Sequence, residues 1–383
     1  MEGLSSFLKK FKIANQNSSK TSSLSLYLIQ QAATPFIAGF SLFSFILLMD
    51  RAFQLFDFLI GKNVPLLSVI LVFTYSLPFI MALTIPMGVL VSTIATYGRM
   101  SGDFEILAIR SLGINPFGLT KGFFLAASVI TIAMVFFNIY ILPASNFRLK
   151  QLYLDISRAR PTLHLAPEKF NELSRNYTLW IKTIDHKKSV LTGIILKEQI
   201  PGKATRIINA KEGKMKVIGD SLTLSLYQGE NHIYDPGKSD EYRIMDFNNY
   251  IISVPLGEKK SSKVTRSYRE MNLRQLLENA RKTDARRRKW RYLLEAQKKF
   301  SIPFACIVFV LIGAPLGMST KKGGLGNGIT LSFFMFMLYY IMLIGGEELC
   351  ERGSLYPSIA MWLPNIVIGS AGIFLFYKII YER

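Results

Sequence analysis

The sequence predicts an α-helical membrane protein with six transmembrane helices, three plus three, and an inserted all-β, jelly-roll-like domain. Uncharged apolar stretches cover 24–49, 64–97, 122–147, 300–320, 323–346 and 353–377. Each reaches the roughly 20 residues that a helix needs to cross about 30 Å of hydrocarbon. The charged residues concentrate elsewhere, in 1–23 and in the polar block 148–299. Within that block, short runs of β-branched and aromatic residues alternate with turn signals. Half of the chain is hydrophobic, and a soluble protein would have to bury all six runs, so the membrane reading prevails.

The N-terminal segment 1–23 is polar and basic, with Lys9, Lys10, Lys12 and Lys20. The span after it is too long for a signal-peptide core and lacks a small-residue cleavage site, so it is read as an uncleaved first helix. Residues 24–147 hold the first three spans. Between the second and third lies the segment 98–117, which predicts a cytoplasmic helix over 101–113. Ser101 is placed to cap it, Asp103 and Glu105 fall in its first turn where the dipole favours acids, and Gly113 then Pro116 stop it. Phe104, Leu107, Ala108 and Ser111 share one face, and Ile106, Ile109 and Leu112 make the other side apolar too. Two readings stay open: an interfacial helix lying on the membrane, or a coupling helix seated in a groove of a cytoplasmic ATPase, with Glu105 or Asp103 pairing a cation there.

The block 148–265 reads as the β domain and its linker. Strands are expected at 177–184, 190–197, 206–218, 222–228 and 242–254, with only partial alternation. DHKK, KEGK, GD, QGEN and DPGKSDE supply the turns. Such spacing suggests a sandwich or jelly roll. A charged helical connector, 266–299, follows, because Leu273, Leu276, Leu277 and Ala280 recur at helical spacing. Residues 300–383 hold the last three spans. Gly313 and Gly317 give a small-xxx-small spacing in the fourth, and Pro78, Pro86, Pro303 and Pro315 are sites for kinks.

Catalysis finds no constellation. His164, His186 and His232 are scattered without partner spacing, and Cys306 and Cys350 suit neither a disulfide framework nor a metal cluster. The Gly-rich stretch 322–328 lacks the lysine and serine of a phosphate loop. The chain is therefore expected to be no enzyme, to bind no cofactor and to bind no nucleic acid. On orientation the basic residues alone nearly tie; because the first helix usually dominates and long loops translocate largely regardless of charge, the N-terminus is expected inside. With the N-terminus inside, the short cytoplasmic segments hold the N-terminal lysines, Arg99, Arg110, Lys121, Lys321, Lys322, Lys378 and Arg383. The same topology puts the β domain outside, along with the run Arg281, Lys282, Arg286, Arg287, Arg288, Lys289, Arg291, Lys298 and Lys299. An external cationic cluster calls for an anionic partner.

The three-domain-three order, the motif YGRMSGDFEILAIRSLGI at 97–114 and FSIPFACIVFVLIGAPLG at 300–317 together resemble the lipopolysaccharide-export permeases LptF and LptG, also called the YjgP/YjgQ family. The resemblance covers nearly the whole chain. It implies a membrane subunit of an ATP-binding-cassette exporter in the bacterial inner membrane, with both termini cytoplasmic and the β domain periplasmic. It implies as partners an LptB-type ATPase dimer that hydrolyses the ATP, a second LptF/LptG-type permease, and the periplasmic proteins LptC and LptA. The first and fifth spans would be lateral gates. On this resemblance Asp103, Phe104, Glu105, Leu107 and Arg110 would meet the ATPase. A multi-acyl lipid with an anionic head needs an apolar cavity rimmed by cations, for which Arg51, Lys62, Lys298 and Lys299 are candidates, with snorkelling anchors as the alternative. Asp50 and Asp57 near the same rim would pair locally or hold divalent cations. Ile194, Leu196, Ile207, Leu222, Leu224 and Leu226 would line a lipid path or form ordinary core. Two other functions remain open: a mechanical subunit acting on a periplasmic partner, and an ion-driven transporter using Glu347, Glu348 and Glu351. The latter predicts pseudo-symmetry between the helix triplets, and no repeat is evident.

Overall fold

The computed structural model describes residues 27–49, 51–53, 64–111, 116–159, 165–185, 190–200, 204–218, 221–234, 242–255, 266–320 and 325–381. The apolar runs become helices long enough to cross a membrane: α1 (Tyr27–Phe53), α2 (Leu66–Gly102), α4 (Pro116–Phe136) continued by a π-helical segment (Phe137–Ile141) and α5 (Leu142–Ala159), α7 (Arg286–Ser319), α8 (Leu325–Glu351) and α9 (Pro357–Tyr381). Between α2 and α4 stands the short α3 (Glu105–Ser111), and a 3₁₀ turn (Tyr268–Glu270) and α6 (Leu273–Lys282) precede α7. The chain divides into two compact units, one of residues 1–50, 76–147 and 266–383, the other of residues 51–75 and 148–265.

In the helical unit, α7 is the most enclosed of the described spans. One of its stripes, Cys306, Val310, Ala314 and Met318, packs with Tyr97, Met100, Phe123 and Ala127. The opposite stripe, Ala305, Val308, Phe309 and Ile312, packs with Leu90, Tyr339, Leu343, Ala360 and Ile368. Helices in lipid gain little from hiding apolar groups and associate through close packing, and the glycines show where. A Cβ on Gly313 would sit 3.2 Å from Thr93, and one on Gly317 would sit 2.8 Å from the Ile94 carbonyl. The expected small-xxx-small spacing therefore marks the α2–α7 crossing. α7 and α9 close up in the same way, a Cβ on Gly372 falling 2.9 Å from the backbone of Leu311.

The second unit carries one antiparallel sheet, β1 (Phe170–Ser174), β2 (Tyr177–Asp185), β3 (Val190–Glu198), β4 (Thr205–Ile218), β5 (Ser221–Tyr234) and β6 (Tyr242–Pro255). Each strand neighbours the next in chain order, a meander in place of the Greek-key crossings that define a strict jelly roll. β1 and β6 approach one another, so the sheet curls. KEGK and QGEN, expected as turns, lie inside β4 and β5.

The curl has a definite origin. Register runs unchanged through β2 to β6 but skips one row, formed by Lys182, Gly193, Lys211, Gln228 and Asn248. Gly193 and Gln228 in that row have φ of 59° and 50°. Across it every strand changes which parity faces inward. On one arm the inward set includes Leu179, Ile181, Ile194, Leu196, Ile208, Ala210 and Phe247; on the other it includes Ile184, Leu191, Met215, Leu222, Leu224, Leu226, Ile252 and Val254. Left uncorrected, a one-residue slip would turn these residues outward. Here the slip is made by all five strands in the same row, so the sheet creases and its apolar face stays inside.

Candidate functional site

Two groups of residues can do chemistry or dock partners, and both lie in the helical unit. The first is the turn between α2 and α4. α2 does not stop at Ser101. It runs on to Gly102, and the Ser101 hydroxyl donates to the Met318 carbonyl of α7 at 3.0 Å in place of capping α3. Asp103 and Phe104 form the turn itself, Phe104 with φ 58°. An aromatic residue held there costs about 1–3 kcal/mol, which the surroundings must over-determine.

Arg99, in the last turn of α2, does part of that. Its guanidinium lies 3.5 Å from Asp103 and 3.6 Å from Glu105. Neither pair is buried, and each contributes less than about 1 kcal/mol; the arginine orients α3 more than it stabilises it. The stronger hold is Ile106, 7% exposed among Tyr97, Met100, Phe123 and Met318, with Ile109 packed beside it. With that face anchored, the opposite one is left open: Phe104 is 70% and Leu107 63% exposed, with Ala108 and Ser111 on the same side. The side chain of Arg110 falls outside the described residues. Arg99 was missed as a member of this site, although its i, i+4 spacing to Asp103 was a readable signal.

The second group lies at the other end of α7. Lys298, only 13% exposed, donates to Glu347 of α8 at 2.5 Å and to Glu295 at 3.2 Å. Arg269 from the 3₁₀ turn lies 3.7 Å from Glu295 and 3.9 Å from Glu347, and Arg291 pairs with Glu351 at 2.9 Å. Arg269, Arg291, Glu295, Glu347 and Glu351, with Ser267, Tyr268 and Leu294, line a cleft of about 220 Å³. Lys299 points elsewhere: it is buried and donates to the Asn138 carbonyl in the π-helical segment at 3.0 Å, satisfying an acceptor there. The two lysines are adjacent in sequence and serve different contacts. Arg51 is half-buried in the other unit and has an interaction partner; Lys62, Asp50 and Asp57 lie outside the described residues. Glu347, Glu348 and Glu351 all carry cationic partners, Glu348 through Arg352 at 2.9 Å.

In the β domain, Ile194, Leu196, Leu222, Leu224 and Leu226 are buried core, while Ile207 is 40% exposed on the opposite face. There it borders a cleft of about 440 Å³ with Thr205, Asn209, His232, Tyr234 and Tyr242. His232 shares a hydrogen bond with the Tyr242 hydroxyl at 2.6 Å. His164 and His186 lie outside the described residues. Inside the sheet, the Tyr177 hydroxyl donates to buried Glu198 at 2.8 Å, and Arg206 lies 3.5 Å from the same carboxylate. Burial, then the hydrogen bond and charge of Glu198, push the Tyr177 hydroxyl up to about 12.

Comparison with known proteins bears on the whole chain. The family model described as "Lipopolysaccharide export system permease LptF/LptG" matches residues 26–378. The lipopolysaccharide export system permease protein LptF of Escherichia coli strain K12 is 19% identical over 346 residues, which cover 89% of this chain and 91% of that protein; the Shigella flexneri protein of the same name matches equally. Six membrane-length helices and one inserted antiparallel sheet accompany a match that leaves out only the two ends of the sequence. The chain belongs to the LptF/LptG family of lipopolysaccharide export system permeases.

Proposed function

We propose that this chain is the permease subunit of an ATP-binding-cassette exporter that takes lipopolysaccharide out of the bacterial inner membrane and passes it to a periplasmic protein bridge. The energy comes from a separate LptB-type ATPase dimer, so the chain itself hydrolyses nothing and holds no cofactor. A second LptF/LptG-type permease completes the membrane part. LptC and LptA receive the lipid, and the termini are cytoplasmic. The observation that carries the reading is α3: a seven-residue helix anchored by Ile106 and oriented by Arg99, presenting Phe104 and Leu107 to solvent. Exposed apolar side chains beside exposed acid, on a helix too short to stand alone, suit a docking knob for a protein groove. ATP-driven closure of the ATPase would move α3 and, through Ile106 and Ser101, the α2–α7 pair.

An ion-driven mechanism draws less support. Its acids, Glu347, Glu348 and Glu351, are each tied to a cation.

The test is to express the chain with an LptB-type ATPase and a second permease, purify the assembly in detergent, and measure ATP turnover with and without lipopolysaccharide. Association and lipid-dependent turnover, both lost in Leu107→Asp and turnover reduced in Glu105→Ala, are expected. A chain that purifies without any nucleotide-hydrolysing partner overturns the proposal.

A further inference from the structure

α7 is far longer than a membrane is thick, and its outer end is built against the usual rules of helix electrostatics. The apolar run starts at Phe300, so the segment from Arg286 to Lys299 extends the helix by about 21 Å beyond it. Three spans precede α7, which puts this extension on the face opposite α3. Its first turn is Arg286-Arg287-Arg288-Lys289 with no acid. A helix dipole disfavours cations at that end, and adjacent like charges repel.

Internal partners do not explain the cluster. Lys282 is paired with Glu278, Arg291 with Glu351, and Arg286 stacks 4.6 Å over Trp290. Arg281, Arg287, Arg288 and Lys289 are exposed and form no ion pair among the described residues; Asp284, the acid in the same stretch, is itself exposed and unpaired among them. Beside them Trp290 packs edge-on against Tyr356, which is 53% exposed and offers an aromatic face. A local rule broken without internal compensation marks a functional surface.

We infer that the corner formed by Arg281, Arg287, Arg288, Lys289 and Tyr356 binds the phosphorylated saccharide part of a glycolipid headgroup, above the phosphates that sit at the membrane surface. The inference rests on the export reading and adds to it a second contact with the cargo. Arginine forks match phosphate oxygens in pairs, and an aromatic face packs against the apolar face of a sugar ring. Height decides between headgroups. Arg287 and Arg288 stand about 18–20 Å from the start of the apolar run, and ordinary phospholipid headgroups occupy only about 5–8 Å beyond the hydrocarbon. An extended arginine spans about 7 Å. Closing the remaining gap by tilt would need about 34–53°, well above the roughly 20° average for membrane helices, whose extreme is about 40°.

The test uses the full chain in phosphatidylcholine nanodiscs and the triple variant Arg287→Ala/Arg288→Ala/Lys289→Ala, whose side chains are all exposed. Affinity is measured for lipopolysaccharide carrying a phosphorylated core oligosaccharide and for lipopolysaccharide truncated to its lipid anchor. The triple variant is expected to bind the complete molecule about tenfold more weakly and the truncated one unchanged, and Arg287→Lys/Arg288→Lys to fall between. Equal affinity of wild type and triple variant for the complete molecule overturns the inference. So does an equal loss for the truncated molecule, or for nanodiscs doped with phosphatidylglycerol, which would make the patch a general membrane anchor. Wild type that binds neither form of lipopolysaccharide overturns the export reading itself.

Discussion

Replacing Lys298 by methionine should loosen the C-terminal end of α8. The ammonium is 13% exposed and bridges Glu347 and Glu295, whose side chains are 25% and 16% exposed. At an effective dielectric near 20, a pair of charges about 4 Å apart is worth about 4 kcal/mol before desolvation. Breaking a buried pair costs about 3–5 kcal/mol because the partner is stranded. Here two carboxylates are stranded together, but Arg269 stands 3.7 and 3.9 Å away and is exposed enough to turn towards them. Discounting for that and for solvent, the loss is about 2 kcal/mol. In a chain of this size it corresponds to a fall in midpoint of about 3 °C. Thermal unfolding in detergent of Lys298→Met, Glu347→Gln and the double variant reads the coupling. The double variant should recover more than half of the loss, while Lys298→Met/Glu348→Gln, which touches the separate Arg352 pair, should recover none. If both double variants fall additively, the bridge between α7 and α8 carries no coupling energy and the reasoning is refuted.

Leu107→Asp should leave the midpoint within about 1 °C because the side chain is exposed, whereas Ile106→Asp, buried in the bundle, should abolish folded yield on size-exclusion chromatography. Tyr177→Phe removes a donor from buried Glu198 and should cost the β domain about 1–2 kcal/mol in denaturant unfolding. The wild-type hydroxyl titrates near 12 instead of 10.0, so its contribution is complete below pH 10 and is lost as pH rises towards 12. Unfolding followed across that window should be steeper with pH in wild type than in Tyr177→Phe, and equal slopes would contradict the assignment. Gly317→Leu, which drives a side chain into the Ile94 carbonyl at 2.8 Å, should cost more than about 2 kcal/mol by thermal unfolding. Gly326→Ala meets nothing within 4 Å and should be neutral or stabilise slightly in the same measurement.

The spans were legible because a run without charge has few other homes, and their ends were misjudged where a tertiary partner extended them. Ser101 and Gly102 read as a helix start, yet Met318, more than 200 residues away, accepts the Ser101 hydroxyl and α2 continues. β1 was missed because Phe170–Ser174 has no β-branched residue and pairs on one side only. KEGK and QGEN looked like turns because a glycine stands among polar residues in each; the alternation does break there, but through a crease shared by five strands instead of a reversal of the chain. In the site, α3 was visible from its own pattern. Which of its faces is anchored was not, since Ile106 and Leu107 are equally apolar and only the bundle distinguishes them. The Lys298–Glu347 bridge joins residues in different spans, and no local spacing announces it.

The crease has a bearing on how this sheet can change. Because Lys182, Gly193, Lys211, Gln228 and Asn248 shift parity together, no single strand owns the bend. Deleting one residue from β4 at Lys211 would turn one half of that strand inside out against neighbours that still make the step, stranding either Ile208 and Ala210 or Met215 and Val217 in water. A hairpin borrowed from a flat sheet would fail for the same reason. The five strands therefore form one inheritable part: lengthening a loop between them disturbs nothing, whereas altering the count within any one of them obliges the other four to follow.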